Sequence, residues 1–267
     1  MRIVICLMLL GALSPARADD WLNAAKTKTL KTFTGDSEMK KADLEKDRRG
    51  KVVIRRLKPQ NKSDWNTDPT ALPYFFYQLR QRTEGKFPAY LDNEGLEIGS
   101  KEIFEYPVIY FTSHYEFTFS DDEVANLKKY LARGGTLLLD DCSGSGAFTG
   151  AAPSNVQRII PGAKMELMLV ESKDYRDLFN LVYHLKELPP AGRSQFRQPF
   201  QVALLNGRPA IMLCPNDYGC AWEVSTPPTA LNPLGGNAHG PDTPTTNKHR
   251  ELRYQLSINW FFYALTH

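Results

Sequence analysis

Between Ser120 and Asp141 the chain compresses three signals into one stretch. Ser120-Asp121-Asp122-Glu123 has the form of a capping box, Gly134-Gly135 marks a helix end, and Thr136–Asp140 follows at once as an apolar run. A serine that accepts from the amide three residues on, with a glutamate reaching back, starts a helix, and glycine tolerates the left-handed conformation that ends one. The spacing predicts a helix from Asp121 to about Arg133, with Val124, Leu127, Tyr130 and Leu131 on one face. A helix delivered straight into an apolar strand is the unit of a mostly parallel sheet covered on both faces.

The rest of the chain repeats that alternation. Strands are expected at Val52–Leu57, near Pro88–Leu91, at Val108–Thr112, at Thr136–Asp140 and at Lys164–Val170. Pro69–Thr83 reads as the first helix, with Asp68 as its cap and Pro69 at the first helical position. Gln201–Leu205 and Arg208–Cys214 flank Asn206-Gly207, a pair suited to a type I′ turn, and form a hairpin that extends the sheet antiparallel. Thr226 to Thr246 is rich in proline and reads as a long surface loop. A helix from about His249 to Ala264 closes the chain, with Leu252, Leu256, Trp260 and Tyr263 as its apolar stripe.

At the other end, Met1 to Ala18 combines Arg2, an apolar run from Ile3 to about Leu13, and Ala16-Arg17-Ala18, an A-x-A-like cleavage site. This is the pattern of a secretory signal at 1–18, which predicts an exported, periplasmic or secreted protein. The apolar run is shorter than the roughly 20 residues that cross a bilayer, and no later segment is long and apolar enough, so no stable span is expected after signal removal. Residues 19–50 are rich in Lys, Asp, Thr and Glu and read as an exposed polar leader, leaving 51–267 as the compact domain. With 33 basic against 30 acidic residues, bulk charge gives no argument for nucleic acid. Removing the signal leaves Cys142, Cys214 and Cys220. Cys214 and Cys220 flank a turn-rich loop that could bring their sulfurs together; a bridge there and two unpaired thiols are both compatible with the spacing.

Five blocks in order carry a family likeness. They are Asp64-Trp65-Asn66-Thr67-Asp68-Pro69-Thr70-Ala71-Leu72-Pro73, Tyr106 to His114, Phe117 to Glu123, Gly134 to Cys142, and Asp217-Tyr218-Gly219-Cys220-Ala221-Trp222-Glu223. Together they resemble the bacterial family called domain of unknown function 4159, over roughly residues 51 to 267. The resemblance implies a flavodoxin-like three-layer α/β sandwich akin to class I glutamine amidotransferase-like domains, in proteins often exported or membrane-associated. It supplies no activity and identifies no cofactor. Members often carry a His-Pro pair where this chain has Lys173-Asp174-Tyr175.

In open α/β sheets ligands bind beyond the carboxyl ends of the strands, where strand order reverses. Two such ends are unusually polar: Val108–Thr112 runs into Ser113-His114, and Thr136–Leu139 runs into Asp140-Asp141-Cys142. If the two strands are neighbours, His114 meets Asp140 or Asp141 with Cys142 beside them, and Asp64, Trp65 and Asp68 line the same rim. Tyr218 and Trp222 could fold over it as flat amphipathic surfaces. The leading reading is a domain that binds a small ligand or an envelope protein through Asp64, Trp65, Asp68, His114, Asp141, Tyr218 and Trp222. One alternative is an envelope hydrolase of amidohydrolase or glycan-processing type using Asp140, Asp141 and His114, with Cys142 as nucleophile in its thiol form. A mixed metal set of Asp64, His114, Asp140 and Asp141 is conceivable, but no fixed metal spacing occurs and no metal is assigned. A third reading is purely structural: the aspartates cap the next helix and His114 holds the fold. His184, His239, His249 and His267 read as surface or helix residues.

Overall fold

The computed structural model describes residues 52–61, 64–88, 95–191 and 197–267. The signal expected at 1–18, the polar leader expected at 19–50 and most of the strand expected near Pro88–Leu91 lie outside the described residues. Seven strands form one sheet: β1 (Arg55–Lys58), β2 (Gly95–Glu97), β3 (Val108–Ser113), β4 (Thr136–Asp141), β5 (Glu166–Met168), β6 (Phe200–Leu205) and β7 (Arg208–Cys214). Their order is β2-β1-β3-β4-β7-β6-β5. The first five positions are parallel; β6 pairs antiparallel with β7, and β5 antiparallel with β6.

Helices cover both faces: α1 (Ala71–Arg82), α2 (Asp121–Ala132), α3 (Ala147–Ile159), α4 (Arg176–Asn180), α5 (Gly219–Trp222) and α6 (Pro244–Thr266), with a 3-10 turn at Lys101–Glu105. Alternation along the central strands divides the core in two. Val108, Tyr110, Leu138 and Met212 pack with Phe75 of α1, Leu178 of α4 and Trp260 of α6. Ile109, Phe111, Leu137, Leu139 and Ile211 pack with Leu127 of α2 and Phe148 of α3. Because β3 and β4 are buried on both sides, every residue in them is buried and their sequence shows a continuous apolar run rather than period two. The result is a three-layer α/β sandwich.

Local signals account for several boundaries. Ser120 Oγ accepts from the Glu123 amide at 3.3 Å while the Ser120 amide donates to Glu123 Oε2 at 2.7 Å, so the capping box forms as read. Asn206 (φ 54°) and Gly207 (φ 77°) take the two left-handed positions the hairpin turn requires. That hairpin does more than lengthen the sheet, because β7 docks parallel to β4 with Leu139 opposite Leu213. The strand expected at Lys164–Val170 is shorter, Glu166–Met168, and it sits at the outer edge. The last helix starts at Pro244, inside the proline-rich stretch, with proline in its first turn and Thr243 capping Thr246.

Asp68 does not cap α1. The helix begins at Ala71 after Thr70, which makes no side-chain cap bond. The Asp68 carbonyl takes the Ala71 amide and a guanidinium hydrogen of buried Arg56, while its carboxylate points elsewhere. At the far end of α1, Arg82 makes paired bonds of 2.8 and 2.6 Å to Glu251 of α6, tying the two helices of one layer together.

Candidate functional site

Strand order reverses between β1 and β3: the chain leaves β1 towards β2 on one side and returns to β3 on the other. The residues after β1 and after β3 therefore face each other across the switch point, the position at which doubly wound sheets hold ligands. β3 and β4 are neighbours with Ser113 opposite Asp141, so the strand tips do converge.

His114 is the centre of that crevice. Its Nδ1 is in short contact with Asp64 Oδ2, its amide donates to Asp64 Oδ1 at 3.0 Å, and Ser113 Oγ donates to the same carboxylate. Burial works against ionisation of Asp64, but the bonds from Ser113 and His114 outweigh it and hold the carboxyl below its ordinary range. Thr67 Oγ1 lies 2.8 Å from Nδ1 and 3.2 Å from Nε2, and Cys142 Sγ lies 3.4 Å from Nε2. The imidazole side chain stays 32 % exposed and Asp64 27 % exposed, so the pair is open to solvent on one side.

The two aspartates at the end of β4 are turned away from it. Asp140 is fully buried, accepting from Tyr110 Oη at 2.9 Å, the Gly219 amide at 2.6 Å and the Tyr218 amide at 3.3 Å. Burial pushes its carboxyl up to about 6 against those bonds. Asp141 accepts from the amides of Ser143, Gly144 and Thr149 and from both the Ser143 and Thr149 hydroxyls. It organises the loop into α3, the structural role considered for it. Hydrolysis through Asp140, Asp141 and His114, and a metal on Asp64, His114, Asp140 and Asp141, both lose their aspartates to these roles. Asp141→Ala is expected to remove about 2 kcal/mol of stability by stripping a charged acceptor from those donors, read as a lower denaturant midpoint.

Behind His114 lies a second cluster. Cys142 is fully buried; its Sγ donates to Asp68 Oδ2 at 3.1 Å and lies 3.6 Å from Cys220 Sγ. Cys220 lies 3.6 Å from the same Asp68 oxygen. The bond to Cys220 lowers the Cys142 thiol, but burial and the Asp68 and Asp217 carboxylates override it and push the thiol up to about 11. Protonated, enclosed and committed to Asp68, that sulfur lacks the lowered pKa and access of a catalytic thiolate. Asp68 itself is held below the ordinary carboxylate range, since hydrogen bonds from His239 and Cys142 outweigh its burial.

His239, read from sequence as a surface residue, places Nε2 2.7 Å from Glu223 Oε2 and 3.3 Å from Asp68 Oδ1. Those two carboxylates outweigh burial and push its imidazole up to about 9. Of the two arrangements the spacing left open for Cys214 and Cys220, the structure has the unpaired thiols. Cys142, Cys214 and Cys220 are all free. Cys214, at the end of β7, turns its thiol to Asp140, whereas the left-handed turn at Asp217 (φ 56°) precedes the short helix that carries Cys220 to Cys142.

Tyr218 and Trp222 are core residues rather than ligand surfaces. Tyr218 is buried and donates to the Pro189 carbonyl at 2.9 Å, and Trp222 packs 4.8 Å from Phe75 while its Nε1 donates to Ser257. Trp65 is half-buried over Gly95, and Asp68 is buried with His239 Nε2 3.3 Å from its Oδ1. The rim thus consists of Asp64, Thr67, His114, Glu223 and His239.

No helix among the described residues is long and apolar enough to cross a membrane. A family model described as "Domain of unknown function (DUF4159)" matches residues 53–265. No curated protein matches the chain.

Proposed function

The chain belongs to the DUF4159 family, whose description supplies no activity, and from the geometry of the rim we propose that the domain binds a small polar ligand at the switch point between β1 and β3. The observation that carries this reading is the His114–Asp64 pair: an imidazole fixed by a carboxylate and left 32 % exposed beyond the strand ends. Asp64 and Glu223 contribute acceptor oxygens, and His239 contributes a fixed positive charge between Glu223 and Asp68. A rim so rich in carboxylate oxygens favours a ligand bearing hydroxyl or amine donors. The domain acts outside the cytoplasm in this reading, which rests on the signal pattern at 1–18. Sequencing the N-terminus of protein recovered from the producing cell is expected to give Asp19.

The test is a calorimetric screen of sugars, polyols and amines against the full chain, repeated on His114→Ala. The variant is expected to lose at least about tenfold in affinity, or about 1.4 kcal/mol, while its denaturant midpoint stays within the range of surface substitutions. Unchanged affinity in His114→Ala removes the site. Turnover of a bound compound that disappears in the variant converts the reading to an enzyme.

A further inference from the structure

The cluster behind His114 has a composition that neither packing nor the rim explains. Asp68, Cys142, Asp217 and Cys220 are all buried, and one donor atom from each lies within 4.8 Å of every other. They come from three separate connections: the loop after β1, the end of β4 and the turn after β7. We propose that Asp68, Cys142, Asp217 and Cys220 form a binding site for a divalent transition-metal ion of the zinc type.

The separations support this. Zinc–sulfur bonds of about 2.3 Å and zinc–oxygen bonds of about 2.1 Å place tetrahedral ligand atoms about 3.8 Å apart for two sulfurs and about 3.6 Å for sulfur and oxygen. The two sulfurs are 3.6 Å apart, and the sulfur-to-Asp68 distances are 3.1 Å from Cys142 and 3.6 Å from Cys220. Two thiolates select a borderline or soft metal over magnesium or calcium.

The surroundings also fit. His239 holds Asp68 Oδ1 from the outside, leaving Oδ2 for the cluster, which is the way a ligating carboxylate is usually oriented by a second hydrogen bond. Arg56 interacts with Asp68 and Cys142, and Arg253 with Asp217 and Cys220, so fixed positive charge offsets an anionic complex. Glu223 and His239 lie close to Asp68 on the more exposed side of the cluster. On binding, each thiol loses its proton to solvent as its sulfur bonds the metal, so two protons leave per ion and no oxidant is involved. His114 is not a donor, so this proposal and the rim ligand fail independently.

The test uses the full chain, thiol-reduced and metal-stripped, titrated with Co²⁺. Uptake of one cobalt per chain is expected, with a thiolate-to-cobalt charge-transfer band that Zn²⁺ displaces. Cys142→Ser and Cys220→Ser are each expected to lose about half of that band, and Cys214→Ser to keep it. Should a serine variant fail to fold, alkylation of the unaltered chain serves instead. Zn²⁺ is expected to slow labelling of Cys142 and Cys220 at least about tenfold relative to Cys214, as ligated thiolates are withheld from the reagent. No cobalt uptake, uptake without a thiolate band, a band unaffected by Cys142→Ser, or equal labelling of all three cysteines with Zn²⁺ overturns the proposal. So does protein isolated with a Cys142–Cys220 disulfide and no metal.

Discussion

Replacing Arg82 with methionine lowers the unfolding free energy by about 3–5 kcal/mol, the cost of leaving a buried charge without its partner. The Arg82 side chain is 4 % exposed and that of Glu251 14 %, and their two bonds join α1 to α6. Without the guanidinium, Glu251 keeps one bond, from Gln255 Nε2 at 2.9 Å. The double variant Arg82→Met, Glu251→Leu is expected to recover most of the loss, because an apolar pair of similar volume carries no desolvation penalty. Urea midpoints of the two variants check both statements; a loss below about 1 kcal/mol for the single variant would mean the pair is solvated as weakly coupled surface ions are.

The pH dependence adds a second check. Burial alone would raise the Glu251 carboxyl, but Arg82 more than reverses this and holds it below the ordinary value. A carboxyl depressed in the folded state contributes stability above its unfolded value, about 4.3, and that contribution is lost as pH falls through the folded value. In Arg82→Met the buried carboxyl is raised instead, so folding gains as pH falls towards 4. The gap between the two proteins therefore narrows in acid.

Gly219→Ala is the second large effect, expected at about 3 kcal/mol, the upper part of the range for overpacking a close-packed interior. A methyl group at Gly219 would sit 2.6 Å from Tyr110 Oη and 2.7 Å from Asp140 Oδ2. Both are buried and hydrogen-bonded to each other, and Asp140 also takes the Gly219 amide, so neither can yield without breaking a bond. Tyr110→Phe removes one of the two obstructing atoms. The double variant is therefore expected to lose less than the sum of the single changes, read from denaturation midpoints in a double-mutant cycle. Strict additivity would show that the methyl group is accommodated elsewhere.

What the sequence disclosed follows the range of the interactions involved. The Ser120–Glu123 box and the Asn206-Gly207 turn act within four residues and formed as read. The apolar runs of β3 and β4 marked them as strands buried on both faces, but left open whether they are neighbours; the fold makes them so and brings His114 and Cys142 together. Direction at a strand tip was not legible. Asp140 and Asp141 are adjacent in sequence, yet one serves Gly219 and the other Thr149. The carboxylate that meets His114 is neither Asp140 nor Asp141 but Asp64, from the loop after β1. His239 sits in a proline-rich loop whose only periodicity is the lack of one, and its partners Asp68 and Glu223 are supplied by tertiary folding. Asp68 resembled a cap because Asp-Pro commonly opens a helix; its carboxylate instead meets two thiols and an imidazole from distant segments.

The place of β7 has a consequence for biosynthesis. It fills the gap between β4 and β6, yet it is made about 70 residues after β4. At about 5–20 residues per second a ribosome needs roughly 4–15 s to cover that distance. Throughout that interval the nascent chain holds six strand residues, destined for full enclosure, with one row of amides and carbonyls unmatched. Emergence of Cys214 closes that row, and until then the half-made sheet is open to adhesion between neighbouring nascent chains.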